Sequence, residues 1–176
     1  MTTQPDAPEL ALLAVARDAI AAALHGAAYQ PPTLPAPYTT ARRAVFVTLR
    51  EPNGALRGCI GRTEPGLPNI AAEIADCAVS AATRDPRFPA VTAEELPTLS
   101  LELSLLEPTE PVRDVAELDA RVYGVVVSSG RRRGVLLPDL DGVDTPAQQI
   151  AIALRKAGIP ADAPYTLERF RVTKIA

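Results

Sequence analysis

The residue types best able to do chemistry lie in one short segment, Leu56-Arg57-Gly58-Cys59-Ile60-Gly61. If this segment forms a strand, Arg57 and Cys59 point to the same face, because side chains two apart lie on one side of a sheet. A guanidinium beside a thiol favours the thiolate, which is the nucleophilic form of cysteine. The spacing therefore predicts a reactive Cys59 with Arg57 as its activating neighbour.

A structural interpretation of the same segment stays open. Free cysteine is among the most buried residue types and packs as a small hydrophobic side chain. Gly58 and Gly61 are candidate binding positions, because glycine lets a ligand approach the backbone, but glycine also permits tight packing of a strand. The second cysteine, Cys77, falls on the apolar face of a predicted helix, so we expect it to serve packing.

A second group of candidate residues lies in the loop Arg84-Asp85-Pro86-Arg87-Phe88-Pro89. Arg84 and Arg87, converging with Arg57 on a cleft, would bind a carboxylate or a phosphate well. We therefore list Arg84, Asp85 and Arg87 as binding candidates. In the alternative interpretation, Arg84 and Arg87 pair locally with Asp85 or cap the preceding helix.

The sequence offers few groups for acid–base catalysis. Its one histidine, His25, follows a predicted helix, where a cation complements the helix dipole. This position disfavours a Cys-His pair. A base would have to be a carboxylate such as Glu102, which shares the polar face of a predicted strand with Ser104, and ordinary solvent exposure is the alternative for Glu102.

We expect neither a metal nor a cofactor. Two cysteines and one histidine are too few for a zinc site of nitrogen and sulfur ligands, and their spacing is wrong. Asp139, Asp141 and Asp144 crowd one loop but lack the ordered ligand pattern of a calcium loop. Helix capping and turns that use aspartate side chains explain these three residues more simply.

Composition excludes several classes of function. A net charge of −3 over 176 residues does not suggest nucleic-acid binding, and Arg131-Arg132-Arg133 fits a solvated hairpin turn. Residues 1–6 lack the basic start of a secretory signal, and no stretch approaches the roughly 18 apolar residues of a membrane span. We therefore expect a cytoplasmic protein without a required disulfide.

The hydrophobic pattern predicts antiparallel hairpins and separate helices, which is typical of the α+β class. A helix capped by Asp6 would bury Leu10, Leu13, Ile20 and Leu24 and end at His25. The other predicted elements are a hairpin over 43–50 and 55–62, a helix over 68–83, a strand over 99–106, a hairpin over 123–128 and 134–137, a helix capped by Thr145, and one closing strand over 169–175.

Several segments carry a family resemblance, and they follow one another in the family's order. They are Leu56–Gly61, Ser80–Pro89, Glu95-Leu96-Pro97, Glu102-Leu103-Ser104, Tyr123-Gly124-Val125, Gly134–Pro138 and Arg155-Lys156-Ala157-Gly158. On these segments the chain resembles the AMMECR domain family, protein A of the bacterial AmmeMemoRadiSam system. Many members carry His-Gly where this chain has Tyr123-Gly124, so any role of that histidine does not transfer.

The resemblance implies one domain over 1–176 with an α+β fold. It would consist of two interlocked subdomains, built from antiparallel β-hairpins with flanking helices around a cleft. It also implies a genomic association with a Memo-like protein and a radical S-adenosylmethionine (SAM) enzyme. Our first hypothesis is an enzyme or enzyme component that works through a cleft containing Cys59 and Arg57. The alternative is a non-catalytic binding module for a partner protein or a small anion.

Overall fold

The computed structural model describes residues 6–34, 38 and 40–176, which form three α-helices and two four-stranded sheets. The helices are α1 (Ala7–Leu24), α2 (Ile70–Thr83) and α3 (Pro146–Ala157). The strands are β1 (Val45–Arg50), β2 (Leu56–Gly61), β3 (Ser100–Leu106), β4 (Glu110–Pro111), β5 (Gly124–Ser129), β6 (Arg132–Leu136), β7 (Thr166–Phe170) and β8 (Val172–Ile175). This arrangement confirms the α+β class. Residues 1–5, which bear on the predicted lack of a secretory signal, lie outside the described residues.

The first of two compact units comprises the chain up to Leu105 together with Thr173–Ala176. Its sheet has the order β2-β1-β3-β8, and β1 pairs antiparallel with both β2 and β3. The predicted β1–β2 hairpin is therefore confirmed. Helices α1 and α2 contribute to the core of this unit, which includes Leu12, Ile20 and Ile74.

The pairing of β1 divides the first sheet into two chemically different faces. Leu49 pairs with Gly58 on one side and with Leu101 on the other, and this row belongs to the core face. One residue earlier, Thr48 pairs with Cys59 and with Glu102. Successive residues of a strand point to opposite faces. Cys59, Thr48 and Glu102 therefore form a polar row on the face opposite the aliphatic core.

The second unit, residues 106–172, contains the other sheet, with the order β4-β7-β5-β6, and helix α3. The β5–β6 hairpin turns at Gly130, whose φ of +59° lies in the left-handed region that favours glycine. Helix α3 begins with the predicted capping box of Thr145 and Gln148. Ile150 and Leu154 of this helix pack in the core of the unit with Val125.

The structure corrects two sequence-based expectations about elements and adds one strand that was not expected. The single closing strand over 169–175 is wrong, because β7 ends at Phe170 and the following β8 belongs to the other sheet. The apolar face predicted for α1 is wrong at Leu10, which is 53% exposed, and the buried stripe instead includes Leu12, Val15 and Ala19. The short strand β4 was not predicted, and its only residues are Glu110 and Pro111.

Among the described residues, none of the helices combines the length and the apolar character that a membrane span needs.

Candidate functional site

Cys59 lies on β2, at the edge of the first sheet, and is half-buried. Its sulfur accepts a hydrogen bond from the buried hydroxyl of Thr48, with an Oγ1–Sγ distance of 3.4 Å. Glu102 pairs with Thr48 from the far side of β1. Because neighbouring strands lie about 4.8 Å apart, Glu102 is two strand spacings from Cys59 and is not a direct neighbour of the thiol.

The backbone of Cys59 is held by two side chains of the loop that follows α2. Asp85 Oδ2 accepts a hydrogen bond from the Cys59 amide at 2.9 Å, and Arg87 Nη2 donates to the Cys59 carbonyl at 3.2 Å. The two side chains also pair with each other, with Arg87 Nε 2.9 Å from Asp85 Oδ1 and Nη2 2.7 Å from Oδ2. We call this arrangement of Asp85, Arg87 and the Cys59 backbone the β2 clamp.

The charges of the β2 clamp stabilise each other. Hydrogen bonds from Arg87 hold the pKa of the buried Asp85 carboxyl well below its usual range, and the amides of Cys59 and Arg87 act in the same direction. The pKa of Arg87 is raised, mainly by its bond to Asp85, and Cys59 contributes through its proximity. Of the three candidate guanidiniums, that of Arg87 donates a hydrogen bond to the backbone of Cys59.

Arg57 is buried and bound to a different carboxylate. Its Nε and Nη2 donate to the two carboxylate oxygens of Glu95 at 2.5 and 3.0 Å, and its Nη1 donates to the carbonyl of Pro89 at 3.0 Å. The bond to Arg57 also lowers the pKa of Glu95. Two parallel hydrogen bonds of this kind give a strong and geometrically specific ion pair. Arg57 therefore ties β2 to the segment from Pro89 to Glu95.

Arg84 lies apart from the other two arginines of the predicted constellation. Its Nη2 donates to Ser80 at 2.8 Å and lies 3.4 Å from an oxygen of Asp76, and both partners are on α2. The three guanidiniums thus bind three different carboxylates, those of Glu95, Asp76 and Asp85. Arg87 pairs with Asp85, as the local-pairing alternative describes, whereas Arg84 pairs with Asp76 on α2.

The two glycines of the β2 segment lie against tightly packed neighbours. A Cβ atom at Gly58 would come within 2.3 Å of the backbone oxygen of Ala81 on α2. A Cβ atom at Gly61 would come within 2.3 Å of the ring of Phe46 and 2.4 Å of the oxygen of Val45. The space beside both glycines is filled by the protein itself, as the tight-packing interpretation requires.

The structure thus brings together Cys59, Asp85 and Arg87 and places Arg57, Arg84 and Glu102 in other contacts. Thr48 and Glu95 were missed as site residues. The family resemblance held a signal for Glu95, because Glu95-Leu96-Pro97 is one of the matching segments. For Thr48 the signal was its place in the predicted hairpin, whose register puts it opposite Cys59.

Tyr123 has basic surroundings in the second unit. The guanidinium carbons of Arg169 and Arg171 lie 4.5 and 4.6 Å from the centre of its ring. Arg171 also donates a hydrogen bond to the tyrosine hydroxyl at 2.7 Å. Contacts of this kind between cations and aromatic rings are attractive, so Tyr123 fixes the positions of two arginines.

No group of three or more His, Cys, Asp or Glu side chains that could hold a metal ion occurs among residues 6–34, 38 and 40–176.

Comparison with known proteins places these features in a family. A protein of Thermotoga maritima is 52% identical over 134 residues, which cover 76% of this chain and 77% of that protein. A protein of Methanothermobacter thermautotrophicus is 44% identical, and the match covers 72% of this chain and 69% of the relative. In a protein of Clostridium acetobutylicum, 46% identical, the match covers only 28% of the relative's length.

A solved structure has the same architecture. The crystal structure of protein PH0010 from Pyrococcus horikoshii matches with a TM-score of 0.83 at 30% sequence identity, covering 97% of this chain and 92% of that one. The relatives come from both bacteria and archaea. The AMMECR1 family model matches residues 13–175, a range that contains both the Cys59 segment and the loop of Asp85 and Arg87. The chain therefore belongs to the AMMECR1 family.

Proposed function

We propose that this protein is an enzyme component in which Cys59 acts as a nucleophilic thiolate on a small molecule or a partner protein. The observation that carries the proposal is the environment of the sulfur atom. The thiol is half-buried, it accepts a hydrogen bond from Thr48, and the Arg87 guanidinium donates a hydrogen bond to the carbonyl of the same residue. A hydrogen-bond donor and a cation both stabilise a negative sulfur.

The proposed chemistry requires only groups of this site and water. The thiol loses its proton to solvent, and the thiolate attacks an electrophilic atom of the substrate. The new bond to sulfur forms as the bond to the leaving group breaks, and the leaving group departs with the electron pair. Thr48 would orient the sulfur and Arg87 would stabilise its charge. Arg57 and Glu95 would act as positioning residues, because their contacts fix the backbone beside Cys59.

The wider setting of this activity is also a proposal. The resemblance to protein A of the AmmeMemoRadiSam system suggests that the partners are a Memo-like protein and a radical SAM enzyme. A nucleophilic thiol could accept a group that such a partner transfers. Copurification with either partner would be compatible with a catalytic or a binding role, so the reactivity of Cys59 has to be measured directly.

The test is alkylation of the native protein with iodoacetamide between pH 6 and pH 9, followed separately at each cysteine by mass spectrometry. Cys77 is the internal control, because it is 1% exposed and burial raises its pKa to about 11. We expect Cys59 to be alkylated in the folded protein at pH 7 while Cys77 remains protected. Protection of Cys59 until the protein unfolds would contradict the proposal.

Two variants examine how the sulfur is activated. Thr48→Val removes the hydroxyl with little change in shape, and Arg87→Ala removes the nearby cation. Each should slow alkylation of Cys59 at pH 7 several-fold, as expected when one hydrogen bond or one partly exposed charge interaction worth about 1 kcal/mol is lost. Arg84→Ala is the matched control, because its guanidinium pairs with Asp76 instead. Equal slowing by all three variants would indicate a general loss of structure.

A non-catalytic binding module is the second candidate. Within the described part of the chain, no carboxylate or histidine is hydrogen-bonded to the Cys59 sulfur. The site therefore has no side chain placed to act as a base for the thiol, which favours a binding role. Because Arg57, Arg84 and Arg87 are each already paired with a carboxylate, such a module would bind a partner protein rather than a small anion at these arginines. On this view Cys59→Ser would retain the fold and the binding of a partner, whereas the catalytic proposal predicts loss of activity with the fold retained.

A further inference from the structure

We propose that the second unit carries a binding groove for a small apolar monocarboxylate, such as a medium-chain fatty acid. The groove lies beside α3, and every residue that lines it belongs to the range 115–165. It shares no residue with the Cys59 site. The proposed ligand groove therefore does not depend on the proposed thiol chemistry, and each can be tested without the other.

The groove has the size and the surface of a small-molecule site. Its volume is about 530 Å³, which falls within the roughly 300–1,000 Å³ typical of ligand pockets. Ile150, Leu154 and Ile159 line it and are themselves almost completely buried, so they form an apolar floor. Pockets for small molecules are usually lined in this way, with few polar groups.

Small residues of α3 keep the floor of the groove accessible. Ala147 and Ala151 are one helical turn apart, and both are exposed and line the groove. Longer side chains at these positions would cover the aliphatic floor. At the rim, Val115 and Tyr165 are 46% and 37% exposed. The protein thus leaves apolar surface in water around a concave site, which is unfavourable unless a ligand covers it.

The charge at the groove specifies the kind of ligand. Arg155 lines the groove, and within the described residues its side chain has no hydrogen-bond or ion-pair partner. Nearby cations are used internally, since Lys156 donates to the carbonyl of Val135 and Arg132 to that of Gly158. None of the described residues that line the groove is Asp or Glu. A free guanidinium next to an apolar surface is complementary to a carboxylate attached to a hydrocarbon.

One cation in an otherwise apolar lining favours a monoanion over a polyanion. A nucleotide or a diphosphate would bring several charges and many hydrogen-bonding groups, and the groove offers partners for few of them. A fatty carboxylate brings one charge and a chain whose burial is favourable by about 0.8 kcal/mol per methylene. The carboxylate would accept two parallel hydrogen bonds from Arg155 while the chain covers Leu154 and Ile159.

The test is calorimetric titration of the full chain with decanoate, decanol and acetate. We expect decanoate to bind, decanol to bind at least about tenfold more weakly, and acetate to give no measurable binding. Arg155→Ala should weaken decanoate binding about tenfold, which is about 1.4 kcal/mol. Arg131→Ala is the matched control, because it removes the same charge from the hairpin turn at Gly130 and leaves the groove unchanged.

A second variant separates binding in the groove from general adsorption of a hydrophobic ligand. Ala151→Leu fills the groove with a residue that favours helix, so it should abolish decanoate binding while the circular dichroism spectrum and melting temperature stay near those of the parent chain. Unchanged binding in Ala151→Leu would overturn the proposal. So would equal affinity for decanol and decanoate in the parent chain, or no binding of decanoate at all.

Discussion

Asp85 is the buried charge on which the conformation of the Cys59 segment depends. Its carboxylate accepts hydrogen bonds from the amide of Cys59 and from the amide and the guanidinium of Arg87. Such a group is favourable only while its partners remain, because an unpaired buried charge costs several kcal/mol. The β2 clamp therefore couples the backbone of the candidate nucleophile to the ionisation of one carboxyl group.

The first prediction concerns acid stability. Because the pKa of Asp85 is lowered in the folded protein, its contribution to stability is fully present above the unfolded pKa of about 3.9 and is lost as the pH falls through the folded value. Glu95, whose pKa is also lowered, acts in the same direction. Asp85→Asn should reduce the free energy of unfolding at pH 7 by about 1–3 kcal/mol. Below pH 4 its stability should fall less steeply than that of the parent chain.

Urea unfolding at pH 7 and at pH 3 measures both effects. Asp141→Asn is the control, because Asp141 is exposed, and such a surface change should stay within about 0.5 kcal/mol. An Asp85→Asn variant whose loss of stability is the same at both pH values would contradict the assigned role of the carboxylate. It would indicate that shape, and not charge, determines the contribution of Asp85.

The sequence predicted part of this site and missed the rest for a physical reason. Cys59, Asp85 and Arg87 could be found because unusual residue types stand close together in two short segments. The partner of Arg57 could not, since Glu95 is 38 positions away along the chain. Side-chain pairing over such a separation depends on where the intervening helix and loop pack. Residue spacing alone does not determine that packing.

At the scale of elements, the loop after α2 completes the edge of the first sheet. Among the described strands, β2 is paired with β1 alone, and an edge strand otherwise presents unpaired amide and carbonyl groups to other chains. Asp85 and Arg87 satisfy the two backbone groups of Cys59 in place of a further strand. Pro86 and Pro89 stiffen the loop, and proline cannot donate to a sheet. The loop therefore ends the sheet as well as supplying the clamp.

The second prediction concerns the packing of β2 against α2. Gly58→Ala should lower the free energy of unfolding by about 1–3 kcal/mol, because the new methyl group would lie 2.3 Å from the backbone oxygen of Ala81. Neither the strand nor the helix can move away without disturbing its own hydrogen bonds. Chemical denaturation measures the loss, and alkylation of Cys59 reports whether the displaced strand alters the site.

Gly66→Ala is the matched control for this substitution. The nearest atom to a Cβ at Gly66 is in the flexible side chain of Arg62, at 3.4 Å, which is ordinary contact. This change should alter stability by no more than about 0.5 kcal/mol. Equal effects of the two substitutions would show that the clash with α2 does not determine the result at Gly58.

The pattern of the sequence predicted most elements but not the division of the last strand. The alternation of leucine and polar residues predicted β3, and turn residues predicted both hairpins. The pattern over residues 169–175 predicts one strand. In the structure, however, Phe170 is buried in the second unit and Ile175 is buried in the first. Apolar alternation shows that a residue faces a core. It does not show which of two cores the residue enters.

At the scale of the whole molecule, the protein consists of two units with separate hydrophobic cores. Each unit has its own four-stranded sheet and its own cluster of buried aliphatic residues. The family match runs from residue 13 to residue 175 and so includes both units. The chain passes from the first unit to the second near Leu105 and returns to the first at Thr173.

The third prediction concerns this return of the chain. Ile175 is buried in the core of the first unit. Ile175→Ala should therefore lower the free energy of unfolding by about 2–5 kcal/mol. Hydrogen exchange followed by mass spectrometry should show the largest loss of protection in peptides from β1 and β3, although these strands are about 70 or more positions away along the chain.

Ile150→Ala is the matched control, since it removes the same atoms from the core of the second unit. Its loss of protection should be largest in peptides from β5 and β6. If Ile175→Ala instead reduced protection mainly in β5 and β6, the assignment of the last strand to the first sheet would be wrong.

The position of β8 in the sheet has a consequence for how the protein is made. A ribosome synthesises β1, β2 and β3 first. Strand β8, which pairs with the other side of β3, emerges only after all of the second unit. At about 5–20 residues per second, the nascent first sheet waits on the order of 10 s with one side of β3 uncovered. During that interval a chaperone or a neighbouring nascent chain can compete for β3, so slow translation of the second unit should favour aggregation.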